Sequence, residues 1–178
     1  MSEGIIRVAT KEDAPALLDL IQTAFKEVKE YGIEWPSTNA TLEMVTENIE
    51  RSVALLYEIK GELVSTITIR LPWESETPVS RYPFLWWFAT ANAYRGQGIG
   101  KQFLRQVEND YLIQLYKAPA YMIGTSGKKH PWLLDMYLRN GYQIHGKHLD
   151  EATQDIGVSL YKVLIPEKFE RRLLNPSA

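Results

Sequence analysis

The sequence predicts one α/β (α+β) domain spanning residues 1–178, with elements in the order β-α-α-β-β-β-α-β-α-β-β. Three observations support this. The 178 residues are 45% hydrophobic and 24% charged, the balance of a chain that fills one core and keeps a charged surface. Short apolar or β-branched runs alternate with longer stretches whose apolar residues return at helical intervals. No internal repeat, low-complexity tract or domain linker interrupts them.

The first run, GIIRVA (4–9), reads as a short strand, and Thr10 with an acid three positions on offers a helix N-cap. Ala14, Leu17, Leu18, Ile21, Phe25 and Val28 then mark the buried stripe of a helix reaching about residue 29. Gly32 and Pro36 break that pattern, and a second helix is expected from about Leu42 to Arg51. VALLYEI and LVSTITIR, joined by KGE, read as a hairpin turning at Gly61. Residues 71–83 form a proline- and acid-rich loop. FLWWFAT, bounded by Pro83 and a glycine-rich segment, is too short for a helix and is expected to be a central strand covered on both faces. Beyond Gly100, the residues Phe103, Leu104, Val107, Tyr111, Leu112 and Leu115 recur at helical spacing, so a helix starts within the glycine segment itself. AYMIGT is another short strand. Pro131 suits the first turn of a helix ending near Asn140 and Gly141. Two strands, at about 142–149 and 157–164, flank the polar DEATQDIG.

Charge and composition exclude several functions. Lysine and arginine number 20 against 22 acids, so no basic surface of the size nucleic acid requires is expected, and any bound anion should be small. The absence of cysteine excludes disulfides, thiolate metal sites and a cysteine nucleophile, and is compatible with a reducing compartment. MSEGIIRVAT has no basic segment followed by an apolar stretch, and FLWWFA is far short of a membrane span. A cytoplasmic protein with neither a membrane nor a nucleic-acid partner is therefore expected.

YRGQGIGK (94–101) places three glycines at alternate positions between an arginine and a lysine. A P-loop would need a glycine where Arg95 stands and Ser or Thr where Gln102 follows Lys101. A dinucleotide fingerprint would need a glycine at Lys101. What remains is a buried strand leading into a helix whose first turn lacks bulky side chains, so that several backbone N–H groups converge on one small anion at the helix's positive end.

Arg95-Gly96-Gln97-Gly98-Ile99-Gly100 also matches the R/Q-x-x-G-x-G/A signature of the GNAT superfamily, and the chain resembles these acyl-CoA-dependent N-acetyltransferases over nearly its whole length. IIRVATKEDAPALLDL resembles the family's first strand and helix, and MYLRNGY its Tyr-x-x-x-Gly-Phe ending, with Tyr142 in place of phenylalanine. The resemblance implies a mixed, mostly antiparallel central sheet with helices on both faces and a V-shaped splay between the fourth and fifth strands. It implies acetyl-CoA as co-substrate, its pantetheine arm in the V and its pyrophosphate on the amides of Arg95, Gly96, Gln97, Gly98, Ile99 and Gly100, beside Lys101. A backbone N–H around Thr90 and Ala91 would polarise the thioester carbonyl. Lys128 and Lys129 either reach the 3′-phosphate or belong to a solvated loop. A homodimer is possible, since relatives are often dimers.

Moving an acetyl group to a primary amine, on a small molecule or a protein, requires a neutral amine, an oxyanion stabiliser and a proton for the departing thiolate. Without cysteine, direct attack in a ternary complex is the economical scheme. Tyr137, four residues before Gly141, stands where family members often carry the tyrosine that protonates the sulfur; its ordinary pKa of about 10 keeps the proton available. The competing reading is a core tyrosine. Asn92 and His130 replace the family's frequent proline and asparagine without removing a reacting group. FLWWFAT carries no acid, so the strand carboxylate some relatives use as base is missing, and Glu34, Glu74, Glu76 or a water is left for that task. That gap keeps a second reading open, a non-catalytic acyl-CoA-binding sensor or interaction module, which Tyr137 opposes. A metal held by His145, His148 and Asp150 is set aside, because an offset of three along a strand points side chains to opposite faces. By the same rule Trp86 and Trp87 are expected on opposite faces as core residues, while Trp35 or Trp73 is a candidate wall of an acceptor pocket.

Overall fold

The computed structural model describes residues 3–177. Strands and helices follow in the predicted order: β1 (Ile5–Val8), α1 (Ala14–Glu30), α2 (Leu42–Arg51), β2 (Val53–Ile59), β3 (Glu62–Arg70), β4 (Phe84–Thr90), α3 (Ile99–Gln106), β5 (Ala120–Ser126), α4 (Pro131–Arg139), β6 (Gln143–Asp150) and β7 (Asp155–Val163). Local chemistry sets the boundaries. The Thr10 N–H donates to Asp13 Oδ2 at 2.8 Å, and Arg7 ties that same carboxylate and Glu58 together, joining the start of the first helical segment to β1 and β2. Thr41 Oγ1 accepts from the Met44 N–H and caps α2. Lys60 and Gly61 both take positive φ, the geometry of a tight turn between twisted strands.

The strands form one sheet in the order β1-β2-β3-β4-β5-β7-β6. Every neighbouring pair is antiparallel except β4 and β5. That parallel pair touches in register only at Phe84↔Met122, beside a hydrogen bond from the Met122 N–H to Pro83 O at 2.9 Å. On its other side β5 pairs with β7 along its whole length, Ala120↔Val163 to Ser126↔Gly157. The sheet is therefore joined at one end of β4 and β5 and open at the other, which is the V-shaped splay. Helices cover both faces. Leu17 and Ile21 of α1 and Val45 of α2 pack with Leu56 and Trp87 on one face, while Phe103 and Val107 pack with Tyr57, Ile67 and Tyr121 on the other.

Strand β4 departs from the expectation of cover on both faces: Leu85, Trp87 and Ala89 are buried, but Phe84, Trp86, Phe88 and Thr90 are only half-buried. Its pairing with β3 also slips, since Thr68↔Trp86 and Thr66↔Ala89 leave Trp87 and Phe88 both opposite Ile67, a β-bulge. Trp87 takes φ 51°, a left-handed conformation that costs a non-glycine residue on the order of 1–3 kcal/mol. The bulge corrects the expectation for the tryptophans. Leu85 and Phe88 pack on the α3 face, whereas Trp86 and Trp87 both lie on the α1/α2 face, their rings stacked 5.2 Å apart.

The helix after the glycines also changes character. Past Gln106 the winding widens into π-helical turns over Val107–Leu115, and the Tyr116 N–H reaches Tyr111 O at 2.8 Å. Regular 3.6-residue spacing would carry Leu115 inward. The wider turn instead buries Leu112 completely and leaves Leu115 60% exposed.

Asn48 of α2 fixes the bulged region from behind. Its Oδ1 accepts from Trp86 Nε1 at 3.1 Å and its Nδ2 donates to Thr68 Oγ1 at 2.9 Å, with the asparagine itself buried. Replacing it by leucine strands the buried Thr68 hydroxyl and the half-buried Trp86 N–H, so Asn48→Leu should lower the free energy of unfolding in urea by about 1–3 kcal/mol.

Candidate active site

A cavity of about 1060 Å³ opens where β4 and β5 part, and it runs from the glycine segment to the loop after α1. The three alternating glycines do two different jobs there. Gly96 and Gly98 take φ of 74° and 76°, and a Cβ on either would meet no atom within 4 Å, so both turn the chain with their open sides free. Gly100 is a close approach: a Cβ there would lie 3.1 Å from Thr90 Oγ1 and 3.3 Å from Phe88 Cζ, against β4. Among the described residues, no close, well-aligned backbone hydrogen bond engages the N–H groups from Gly96 to Lys101 as the chain turns there, and the helix ladder begins with the Gln102 N–H to Gly98 O at 3.0 Å. That leaves a row of donors at the positive end of α3.

The other predicted positions separate. The Ala91 N–H is spent on Val64 O at 2.9 Å, so it is not available to polarise a carbonyl; by the alternation of amides along a strand, the Thr90 N–H faces the splay. The Arg95 side chain turns back to α1, where it donates to Ala24 O at 2.6 Å and pairs with Glu27 at 3.3 Å. Gln97 Nε2 caps Ala93 O at 2.9 Å, Ile99 is buried beneath the turn, and Lys101 is exposed on the cavity rim. Lys129 Nζ donates to Gly32 O at 2.7 Å, which ties the loop before α4 to the end of α1, while Lys128 is exposed away from the cavity wall.

Tyr137 lines the cavity from α4, edge-on to Tyr142 with ring centres 5.1 Å apart, and burial pushes its pKa up to about 12. It keeps its proton under any physiological condition. Of the three acids considered as bases, Glu34 lies on the cavity wall and Glu74 and Glu76 do not. Trp35 is on the wall too, whereas Trp73 packs against Tyr116 elsewhere, 66% exposed. His145, His148 and Asp150 all border the cavity, yet no group of three metal-binding side chains occurs among the described residues.

Buried polar groups are ordinarily hydrogen-bonded, and the exceptions are informative. Trp87 Nε1, Thr125 Oγ1 and His130 Nδ1 are the buried side-chain atoms left without a partner among the described residues, and all three residues line this cavity. Together with the bare amides from Gly96 to Lys101, they fit a long ligand with polar groups at intervals, the chemistry of a pantetheine arm ending in a pyrophosphate.

Residues 15–142 match the model of the Acetyltransferase (GNAT) family. The chain belongs to the GNAT family of acetyltransferases. It is 53% identical over 174 residues to the S-alkylcysteine N-acetyltransferase of Bacillus subtilis (strain 168), covering 98% of this chain and 97% of that one. It is 34% identical over 151 residues to the S-(2-succino)cysteine N-acetyltransferase of the same organism, covering 85% and 87%. The crystal structure of a GNAT-family acetyltransferase from Streptococcus agalactiae shares the fold, with a TM-score of 0.67 at 17% identity over 90% of this chain and 95% of that one. Enzymes of the GNAT family generally use acetyl-CoA, and this member is an N-acetyltransferase.

The GNAT site also contains a group that sequence reading missed. Glu108, on the π-helical turns, is buried and accepts from Lys162 Nζ at 2.8 Å and from the Tyr121 hydroxyl at 3.1 Å; Tyr121 is in turn hydrogen-bonded to the Tyr142 hydroxyl, next to Tyr137. Burial raises the pKa of both Tyr121 and Tyr142. The network holds Tyr142, and through its ring Tyr137, in one orientation. Its four members come from α3's extension, β5, β7 and the loop after α4, so no spacing in the sequence announces it.

If the glycine turn serves a pyrophosphate, a methyl group added on its open side should harm the ligand more than the fold. Gly98→Ala is expected to weaken acetyl-CoA binding at least about 10-fold by calorimetry, beyond what its backbone strain of roughly 1 kcal/mol takes from stability.

Proposed function

We propose that this chain transfers the acetyl group of acetyl-CoA to the α-amino group of an S-substituted cysteine, by direct attack in a ternary complex. The observation that carries the reading is that both Bacillus relatives, which align over most of the chain, are named for N-acetylation of a cysteine bearing a substituent on sulfur. The cavity suits a small amino acid with an apolar arm. Phe84, Trp86, Val79 and Met122 supply apolar wall near the closed end of the V, where a thioether can lie.

In this reading the steps divide among groups of the cavity. The N–H groups from Gly96 to Lys101 hold the pyrophosphate, and the bare edges of β4 and β5 take the pantetheine amides. The Thr90 N–H donates to the thioester oxygen as negative charge develops on it. As the acceptor's nitrogen forms its bond to the acetyl carbon and the carbon–sulfur bond breaks, Tyr137 gives its hydroxyl proton to the sulfur and regains one from solvent. The proton shed by the nitrogen passes to Glu34, on the acceptor side of the cavity, or to water. A purely binding role is disfavoured, because the relatives are named enzymes and a protonated tyrosine faces the same cavity.

Thiol release from acetyl-CoA should be saturable with S-methylcysteine or S-benzylcysteine, and mass spectrometry should place the acetyl group on nitrogen. Turnover of polyamines or lysine peptides with none of S-substituted cysteines would refute the acceptor class.

Tyr137→Phe is expected to lower kcat by about 10²–10⁴ with acetyl-CoA affinity nearly unchanged. Because the folded-state pKa lies above the unfolded value, the wild-type tyrosine stays protonated, and its stabilising contribution is complete below pH 10 and lost only as pH climbs toward 12. Activity should accordingly show no alkaline decline from Tyr137 across pH 7–9.

A further inference from the structure

Resting on the reading of the acceptor as a free amino acid, we propose that Arg70 is the residue that recognises its α-carboxylate. Arg70 ends β3, opposite Phe84 at the closed end of the V. Its guanidinium sits 4.5 Å from the centre of the Trp86 ring, and Trp86 forms part of the cavity wall. A small recess lined by Arg70 shares Val79 and Phe84 with that cavity, so Arg70 stands in a side recess at the closed end of the V, away from the glycine end.

What sets Arg70 apart is the lack of a partner. Among the described residues it makes no ion pair and no side-chain hydrogen bond, although it is half-buried. Burial with no nearby carboxylate lowers its pKa from the ordinary value, the reverse of Arg7, which two acids raise. The cations on the cavity wall itself are otherwise committed or misplaced. Arg95 is bound to α1 and Lys162 to Glu108, while Lys101 and Arg105 project from α3 at the far side of the splay. The cavity wall also carries the acids Glu34, Asp150 and Asp155, the last two toward the open end of the V. A wall of that kind attracts an amine but would repel the carboxylate of an amino acid unless one cation offset it.

Arg70 is also held ready. Trp86 is fixed by Asn48, so the ring beneath the guanidinium keeps its plane, and the planar fork above it presents two parallel N–H donors to a carboxylate. From Trp86 to Thr90 is four residues, roughly 13 Å of strand. A carboxylate paired over Trp86 therefore leaves room along β4 for the α-carbon and its amine to reach the bulge, with the sulfur substituent lying on Phe84.

The experiment compares S-methylcysteine with two acceptors that keep the amine and the thioether, S-methylcysteine amide and S-methylcysteamine, in the wild type and in Arg70→Gln and Arg70→Lys. The wild type should prefer the carboxylate by about 10- to 100-fold in kcat/KM, the worth of one charge-assisted hydrogen-bonded pair. Arg70→Gln should lose that preference through a raised KM for S-methylcysteine while keeping its kcat/KM for the carboxyl-free amine. Arg70→Lys should recover part of it as a point charge without the fork. Thermal melts matching the wild type show that the variants fold, and the carboxyl-free amine reports their catalytic competence. If Arg70→Gln keeps the full preference, the assignment to Arg70 is overturned while the acceptor class stands. If the wild type acetylates the three acceptors equally, or turns over none of them, the amino-acid reading fails and takes the assignment with it.

Discussion

The structure depends on one incomplete strand pairing. β4 and β5 run parallel and share a single register pair, Phe84↔Met122, before they separate. Backbone N–H and C=O groups inside a protein have to be satisfied, so two bare strand edges facing each other across a gap are costly unless something enters between them. The remainder of the sheet supports the gap: β4 is held by β3, and β5 by β7 along its full length, with separate helical layers packed on each face. The slot is thus built into a rigid frame rather than into a loop.

Irregular features gather at this slot. The β4 bulge, the left-handed Trp87, the turns at Gly96 and Gly98, and all three orphaned buried polar atoms lie on its walls. Local strain and unmet polar groups of this kind persist only where surrounding packing overrides them, and they are concentrated where a ligand completes the structure. The bulge also divides the chemistry between the faces. By sending Leu85 and Phe88 to one side and both tryptophans to the other, it gives the α3 side a packed floor under the glycine amides and the α1/α2 side an aromatic wall. Donors for an anion and the protonated Tyr137 stand on the first side, and Trp86 with Arg70 on the second.

Much of this was legible along the chain because it is local. Helical periodicity located α1 and α2 to within a residue or two, and Pro83 and the glycines bracketed β4. The glycine turn could be read as an array of amides because three missing side chains in six residues leave little else for a helix start to present. Other features gave no local warning. A bulge needs no glycine if neighbours hold the tryptophan, and nothing in FLWWFAT distinguishes it from a regular strand. Helical spacing from Phe103 to Leu115 continues without a break in sequence, so the π-helical widening that buries Leu112 and Glu108 was hidden.

By itself, then, the sequence determined the succession of elements, the family and the turn at residues 95–100, since each rests on residues a few positions apart. Only the tertiary structure decided which amide is free at the end of β4, which acid reaches the cavity, and which charges are already paired. Those are questions of partnership between distant segments: Ala91 with Val64, Arg95 with Glu27, Lys162 with Glu108. A charged or polar group acts on a substrate only if the fold has left it without a partner of its own, and that is a property of three-dimensional packing which no spacing along the chain records.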